Sequence, residues 1–290
     1  MITLSYFPGC SLTSSSSFYD RSLRRVLAFY EVGLRELEDW SCCGAAAAPA
    51  MRQELSDVLN ARNIAIAEKS GLHLLAPCSA CYARTRASAL KIAGDRSTRD
   101  MVNEALSPMS VKGSLEVRNI IETFLQYVGV EKIAASVAYG IGSMRVVPYY
   151  GCLLTRIMGA PSSDDVEDPS GMDVLLDALG AVVVPWQFKT ECCGAGSTAT
   201  DRDRTTRLSG RIMAMAKKAG ANAVVTTCPL CQLNLDLTTH ARGDLAGIPV
   251  LFLTEVFELA LFGSTPDSKH HLISMADIEG SVEILGGDSA

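Results

Sequence analysis

This sequence predicts an α/β fold built twice, and three observations predict it. β-rich runs alternate with helical ones along the chain, the mark of parallel βαβ units. The ten cysteines recur in one order in both halves. Each cysteine group also stands where a predicted strand ends, and in open α/β sheets ligands gather beyond the carboxyl ends of the strands. A length of 290 residues suits two domains of ordinary size, and 48% hydrophobic content suffices for their cores.

Taken in order, "ITLSYF" and "RVVPYY" read as first strands, each running into Gly-Cys. A helix follows the first, with Leu23, Val26, Leu27, Tyr30 and Leu34 on one face and the "SSSSFYD" segment supplying its cap. "LRELEDW" and "AVVVPW" read as second strands leading into "SCCGA" and "ECCGAG". Helices are predicted over 51–69 and 202–218, stopped by Gly71 and Gly220. "HLLAPC" and "AVVTTC" read as third strands, each followed by a helix that opens at Cys-x-x-Cys. Amphipathic pieces, "NIIETFLQYVG" and "VLFLTEVFELALFG", close the two halves. The repeat divides the chain into residues 1–143 and 144–290, two Rossmann-like βαβ domains related by a pseudo-twofold axis, with the cysteine sites near their interface.

Bulk properties narrow the function classes. A net charge of −6 argues against a protein whose task is neutralising phosphates. No apolar run is long enough to span a membrane: residues 133–144 are too short, and Glu255 and Glu258 interrupt 251–263. The N-terminal residues carry no cationic leader, so a cytoplasmic location is expected. In a reducing compartment, ten cysteines point to metal or catalytic chemistry ahead of disulfides, although free cysteine also packs as a small hydrophobe.

The spacing decides between those uses. Cys10, Cys42, Cys43, Cys78 and Cys81 are answered by Cys152, Cys192, Cys193, Cys228 and Cys231, with none left over. The gap from the vicinal pair to the Cys-x-x-Cys is 34 residues in both halves, and the first gap is 31 in one and 39 in the other. Five thiols exceed the four that structural zinc or a cubane iron–sulfur cluster takes. Adjacent thiolates are hard to fit around one tetrahedral ion, whereas they can reach different irons of a larger cluster. Ligand softness and number favour iron–sulfur, with zinc in one half as the alternative. Glycine after each vicinal pair is expected to let the backbone approach the site.

The segments "FPGCSL", "WSCCGA", "PCSACYAR", "YYGC", "ECCGAG" and "TTCPLCQLNLD" carry a family resemblance over residues 1–263. Their doubled array resembles the cysteine-rich CCG domain, and the chain as a whole resembles the B subunit of heterodisulfide reductase. The resemblance implies two noncubane [4Fe-4S] clusters, the first held by Cys10, Cys42, Cys43, Cys78 and Cys81. Cys152, Cys192, Cys193, Cys228 and Cys231 would hold the second. It also implies homolytic cleavage, or reversible formation, of a small-molecule or protein disulfide between the two clusters. A ferredoxin-like C subunit and a flavin-bearing A subunit are the implied partners. The alternative is an electron-transfer subunit of another complex, oxidising lactate, glycolate, succinate or sulfur compounds.

Other candidates carry less. His73 reads as strand-edge packing, His240 as a helix cap, and His270 and His271 as surface residues, none repeating with the cysteines. Arg84, Arg86, Arg156 and Lys189 read as solvated faces that can alternatively meet an anionic group. No glycine motif for dinucleotides or nucleoside triphosphates is present. The acidic tail from residue 276 reads as loosely held or as a partner contact.

Overall fold

The computed structural model describes residues 2–156, 164–242, 245, 247–264, 271 and 283–284; His270 and most of the acidic tail fall outside them. The first half starts with β1 (Ile2–Tyr6), a short α1 (Gly9–Leu12), α2 (Ser17–Phe29) and β2 (Val32–Glu36). It continues through α3 (Ala47–Met51), α4 (Gln53–Ser70), β3 (Leu74–Leu75), α5 (Ser79–Gly94), α6 (Arg96–Leu106) and β4 (Val117–Arg118). α7 (Ile120–Thr123) runs through a π-helical turn at Phe124–Val128 into α8 (Val130–Ala135), and β5 (Tyr139–Gly140) follows. The second half has β6 (Arg145–Tyr149), α9 (Gly151–Thr155), α10 (Gly171–Ala178), β7 (Val182–Val183) and a 3-10 turn at Ala195–Ser197. Then come α11 (Arg202–Lys218), β8 (Ala223–Thr226), α12 (Pro229–Ala241), β9 (Val250–Phe252), α13 (Leu253–Phe262) and β10 (Glu283–Ile284).

The two halves form parallel four-stranded sheets of matching order, β2-β1-β3-β4 and β7-β6-β8-β9. In each, the strand before the first cysteine lies centrally, paired with the strand before the Cys-x-x-Cys: Tyr6 faces Leu75, and Tyr149 faces Thr226. Strands covered on both faces read as continuous apolar runs, and every residue of β8 is buried. β5 and β10 make a separate antiparallel ribbon.

The halves are interlocked. α13, from the end of the second half, packs on α2 of the first, while α10 of the second packs on α7 and α8 of the first. Tyr19 stacks on Phe252 with ring centroids 4.0 Å apart, and Phe124 stacks on Phe257 at 4.2 Å. The Ser22 and Thr254 hydroxyls meet at 2.6 Å inside this layer. Stacked rings of this size contribute about 1 kcal/mol each beyond their buried area. One apolar core therefore runs through both halves, and a smaller one around Val147, Ile212, Met213 and Leu235 lies within the second.

Several local expectations need correction. The second strand begins earlier than predicted and stops at Glu36, where the Leu37 N–H still reaches the Tyr6 carbonyl at 2.9 Å; Leu34 belongs to that strand, not to the helix. α2 starts after Ser16 without a side-chain cap. Each sheet has a fourth strand, and α6 has no counterpart among the described residues of the second half. His271 is 6% exposed and not on the surface: its Nε2 lies 2.8 Å from Glu255 Oε1. His240 sits inside the last turn of α12, and His73 is exposed, its Nδ1 accepting the Glu116 N–H at 3.2 Å.

Candidate metal centre

All ten cysteines lie beyond the carboxyl ends of the two sheets. Cys10 and Cys152 are on α1 and α9, each reached through a left-handed glycine, Gly9 (φ 70°) and Gly151 (φ 69°). Cys78 and Cys228 are the N-caps of α5 and α12, with extended backbones, and Cys81 and Cys231 sit in the first turns. The vicinal pairs occupy the loops after β2 and β7, where Gly44 (φ 79°) and Gly194 (φ 83°) turn the chain. Each half also holds an edge-on aromatic pair near its first cysteine, Phe7 with Trp40 and Tyr149 with Trp186.

The glycines divide their tasks differently from the sequence expectation. A Cβ on Gly44 would come 2.3 Å from the Ala48 Cβ, and one on Gly194 2.9 Å from the Thr205 Cα, so these glycines serve the turn and the packing of the next helix. The close approach to sulfur belongs to the glycine before the first cysteine. A Cβ on Gly9 would lie 2.7 Å from Cys81 Sγ, and one on Gly151 3.2 Å from Cys231 Sγ.

The thiols form one continuous path. Cys42 neighbours Cys10 and hydrogen-bonds Cys43; Cys43 and Cys81 are 3.4 Å apart; Cys81 meets Cys78. The Cys78 and Cys228 thiols neighbour each other across the interface. Beyond it, Cys228 meets Cys231, Cys231 lies 3.4 Å from Cys193, and Cys152 bonds Cys192. Around the same seam Ser79 and Thr227 hydroxyls are 3.4 Å apart, α5 packs on α9, and a Cβ on Gly196 would rest 3.7 Å from the Ala46 Cβ. The two vicinal-cysteine loops thus meet each other. Among the described residues, no three His, Cys, Asp or Glu side chains gather as a compact single-ion group.

Six cysteines are buried: Cys43, Cys78, Cys81, Cys193, Cys228 and Cys231. Cys10, Cys42 and Cys192 are exposed and Cys152 is half-buried, which leaves each set an open side. Shared protons split the acidities. Hydrogen bonds from Cys42 and Cys81, the Ala45 N–H and the nearby Arg84 lower Cys43 to about 3. The Cys152 thiol, the Gly194 N–H and Arg204 lower Cys192 to about 6. Cys193 is lowered by Cys231, the Ala195 N–H and Asn234, and Cys78 by Cys228 and Cys81. The partners that keep the protons, Cys42, Cys81, Cys152 and Cys231, are pushed up. Each set therefore has thiols biased toward thiolate, the form that binds metal.

Several supporting residues have no counterpart among the sequence expectations. Asn60 Nδ2 donates to the Cys43 carbonyl at 3.1 Å, and Ser209 Oγ to the Cys193 carbonyl at 2.9 Å, so each vicinal pair is held by the following long helix. Asn234 Nδ2 approaches Cys193 Sγ at 3.8 Å. The Tyr149 hydroxyl donates to the Glu191 carbonyl at 2.7 Å. The two helix groups stand at unequal offsets from their cysteines, 17 residues for Asn60 and 16 for Ser209, so no repeat in the sequence marks them. Of the four cations, Arg84 Nε donates to the Ala45 carbonyl at 2.9 Å, inside the first site. Arg86 joins the Val117 carbonyl and Glu122, Arg156 pairs with Glu167, and Lys189 bridges Asp168 and Asp173 while 12% exposed. Arg86 and Lys189 are thus structural, not solvated.

Comparison with known proteins agrees with the duplication. The family model described as the CCG cysteine-rich domain matches twice, over residues 4–85 and 146–236. The "8-methylmenaquinol:fumarate reductase membrane anchor subunit" of Wolinella succinogenes is 33% identical, over 88% of this chain and 91% of its own. The B subunit of the ferredoxin/F(420)H(2)-dependent CoB-CoM heterodisulfide reductase of Methanosarcina acetivorans is 29% identical, over 92% of this chain and 91% of its own. A crystal structure of a hypothetical protein from Helicobacter pylori superposes with a TM-score of 0.73 at 11% identity, a likeness of fold alone. It covers 92% of this chain, which spans half of that one. Among the described residues no helix is long and apolar enough to cross a membrane.

Proposed function

The chain belongs to the CCG cysteine-rich domain family, whose domain it carries twice, and from that premise we propose that it is the iron–sulfur subunit of a disulfide-reducing complex of the heterodisulfide reductase type. The observation that carries this reading is the contact of the two five-cysteine sets across one seam, at Cys78 and Cys228. Residues 1–143 and 144–290 are each one cluster-holding domain. Cys10, Cys42, Cys43, Cys78 and Cys81 hold one noncubane [4Fe-4S] cluster; Cys152, Cys192, Cys193, Cys228 and Cys231 hold the other.

The residues fit such a group. Thiolates are its soft ligands, neighbouring groups bias Cys43 and Cys192 toward that form, and Gly9 and Gly151 keep the space beside Cys81 and Cys231 free of a Cβ. When bound, the pair of clusters supplies the two single electrons that cleavage of a disulfide requires. The protein's own contribution is placement. Backbone N–H groups of Gly44, Ala45 and Gly194 point at Cys42, Cys43 and Cys192 at 3.5, 3.4 and 3.3 Å, stabilising negative sulfur. The buried cysteines exclude water from the seam, while Cys10, Cys42, Cys152 and Cys192 leave each set an accessible side. A ferredoxin-like subunit and a flavin-bearing subunit are the proposed partners, in the cytoplasm.

A second reading has its own support. The relative from Wolinella succinogenes is a fumarate reductase subunit, which favours a role as an electron relay in a complex that does not act on sulfur. Anaerobic purification decides between these and a zinc protein. About eight irons per chain are expected; stoichiometric zinc with little iron would sink both redox readings. Iron-loaded protein, reduced chemically and mixed with candidate disulfides, then reoxidises if the disulfide reading holds. Reoxidation only by quinone, with every disulfide inert, leaves the relay.

A further inference from the structure

The two sites are related by the repeat, so residues at equal offsets from their cysteines can be compared directly. Three positions beyond the last cysteine of each set stands Arg84 in the first half and Asn234 in the second. Both point back into their own vicinal-cysteine loops. Arg84 Nε holds the Ala45 carbonyl at 2.9 Å, and the Ala45 N–H in turn meets Cys43 Sγ at 3.4 Å. Asn234 sends a neutral amide toward Cys193 Sγ at 3.8 Å and ties itself to Thr198 at 3.1 Å. Arg84 is half-buried, and its positive charge acts on the buried Cys43. The charges acting at the second site, Arg204 and Glu191, have opposite signs and bear on the exposed Cys192.

We propose that Arg84 makes the two sites electrically unequal, so that the N-terminal five-cysteine site accepts the first electron and the C-terminal site the second. This rests on the iron–sulfur reading above. One-electron reduction adds one negative charge to the bound group and breaks no bond. A fixed guanidinium in a partly dry site lowers the energy of that added charge, whereas an amide dipole does so far less. Solvent screens Arg204, and Glu191 opposes it. The duplicated fold thus supplies two sites of the same shape, and one side chain gives them an order. Electrons from an external one-electron donor settle first beside Arg84, and the second site is filled only when a pair is available.

The test uses the full chain loaded with iron, titrated against dithionite and followed by EPR. Cys193→Ser and Cys43→Ser backgrounds leave only the N-terminal or the C-terminal site filled. In the first background, Arg84→Gln lowers the midpoint potential and Arg84→Lys keeps it near the parent value. In the second, neither substitution moves it. Should Arg84→Gln fail to fold, Asn234→Arg in the Cys43→Ser background gives the converse, a raised potential for the C-terminal site. A filled N-terminal site whose potential is unchanged by Arg84→Gln overturns the inference alone. Preparations that contain no iron overturn it together with the iron–sulfur reading.

Discussion

The two halves of this molecule share a sheet order and a cysteine pattern yet differ in what surrounds the sulfur. The N-terminal half places an arginine beside its vicinal pair, adds α6, and starts α7 with a full capping box between Asn119 and Glu122. The C-terminal half has an amide at the arginine's position, a tyrosine clamp from Tyr149 to Glu191, and only half of the box: Glu255 accepts the Phe252 N–H at 2.8 Å, and a phenyl ring can return no bond. Duplication thus kept what positions ten thiols and let the supporting groups diverge. Positions fixed by the fold are costly to change, because interiors are close-packed. Charges near an open rim are cheaper to vary.

The comparison breaks most severely at a ligand. Cys43→Ser and Cys193→Ser should each lose the cluster of their own half, halving iron per chain while secondary structure persists. Disulfide turnover should fall to background in both, and the double variant should be scarcely worse than either single, since groups that act as a unit are strongly non-additive. A single variant that has verifiably lost its cluster and still turns over near the parent rate would refute two-site cleavage.

A smaller contrast is expected at the glycines before the first cysteines. Both take φ near 70°, which costs a residue with a Cβ roughly 1–2 kcal/mol. Gly9→Ala adds a contact at 2.7 Å with Cys81 Sγ, whereas Gly151→Ala meets Cys231 Sγ at 3.2 Å. Iron loading should therefore drop more in the Gly9→Ala protein, with a larger fall in melting temperature. Equal losses would mean that backbone strain alone governs both sites.

Asn119→Ala opens the one complete capping box among the described helices and should cost about 1 kcal/mol in urea unfolding. A cost close to zero would show that Glu122, which also accepts from Tyr82 at 3.1 Å, holds the helix start by itself.

The smallest effect concerns α6, the helix without a described counterpart. Its N-cap Asp95 accepts from Thr98 and Ser97, which lowers the carboxyl to about 2. A folded-state acidity below the ordinary value near 3.9 contributes stability that is complete above that value and disappears as pH falls toward about 2. Amide exchange in α6 should therefore be faster in Asp95→Ala than in the parent at neutral pH, the difference shrinking below pH of about 4. A constant difference across that range would remove the ionised cap as the cause.

The sequence by itself determined the duplication, the α/β class and the position of every cysteine at a strand's carboxyl end. These follow from periodicity and spacing, which are local properties of the chain. α11 occupies the predicted 202–218, because a capping aspartate and a closing glycine both mark it. The fourth strands were illegible because β4 and β9 stand at the head of amphipathic pieces whose helical period dominates, β9 running directly into α13 and β4 into α7 after Asn119 alone. His271 looked like surface because its burial depends on Glu255, sixteen residues away and on a helix that packs against the opposite half. The meeting of Cys78 with Cys228, the packing of α13 and α10 on the opposite half, and the task of Gly9 and Gly151 were decided by tertiary structure alone. Each joins atoms far apart in sequence, as the Ser79–Thr227 contact does across 148 positions. No local pattern encodes such a distance; only the packing of one half on the other brings the two sets of sulfur to one seam.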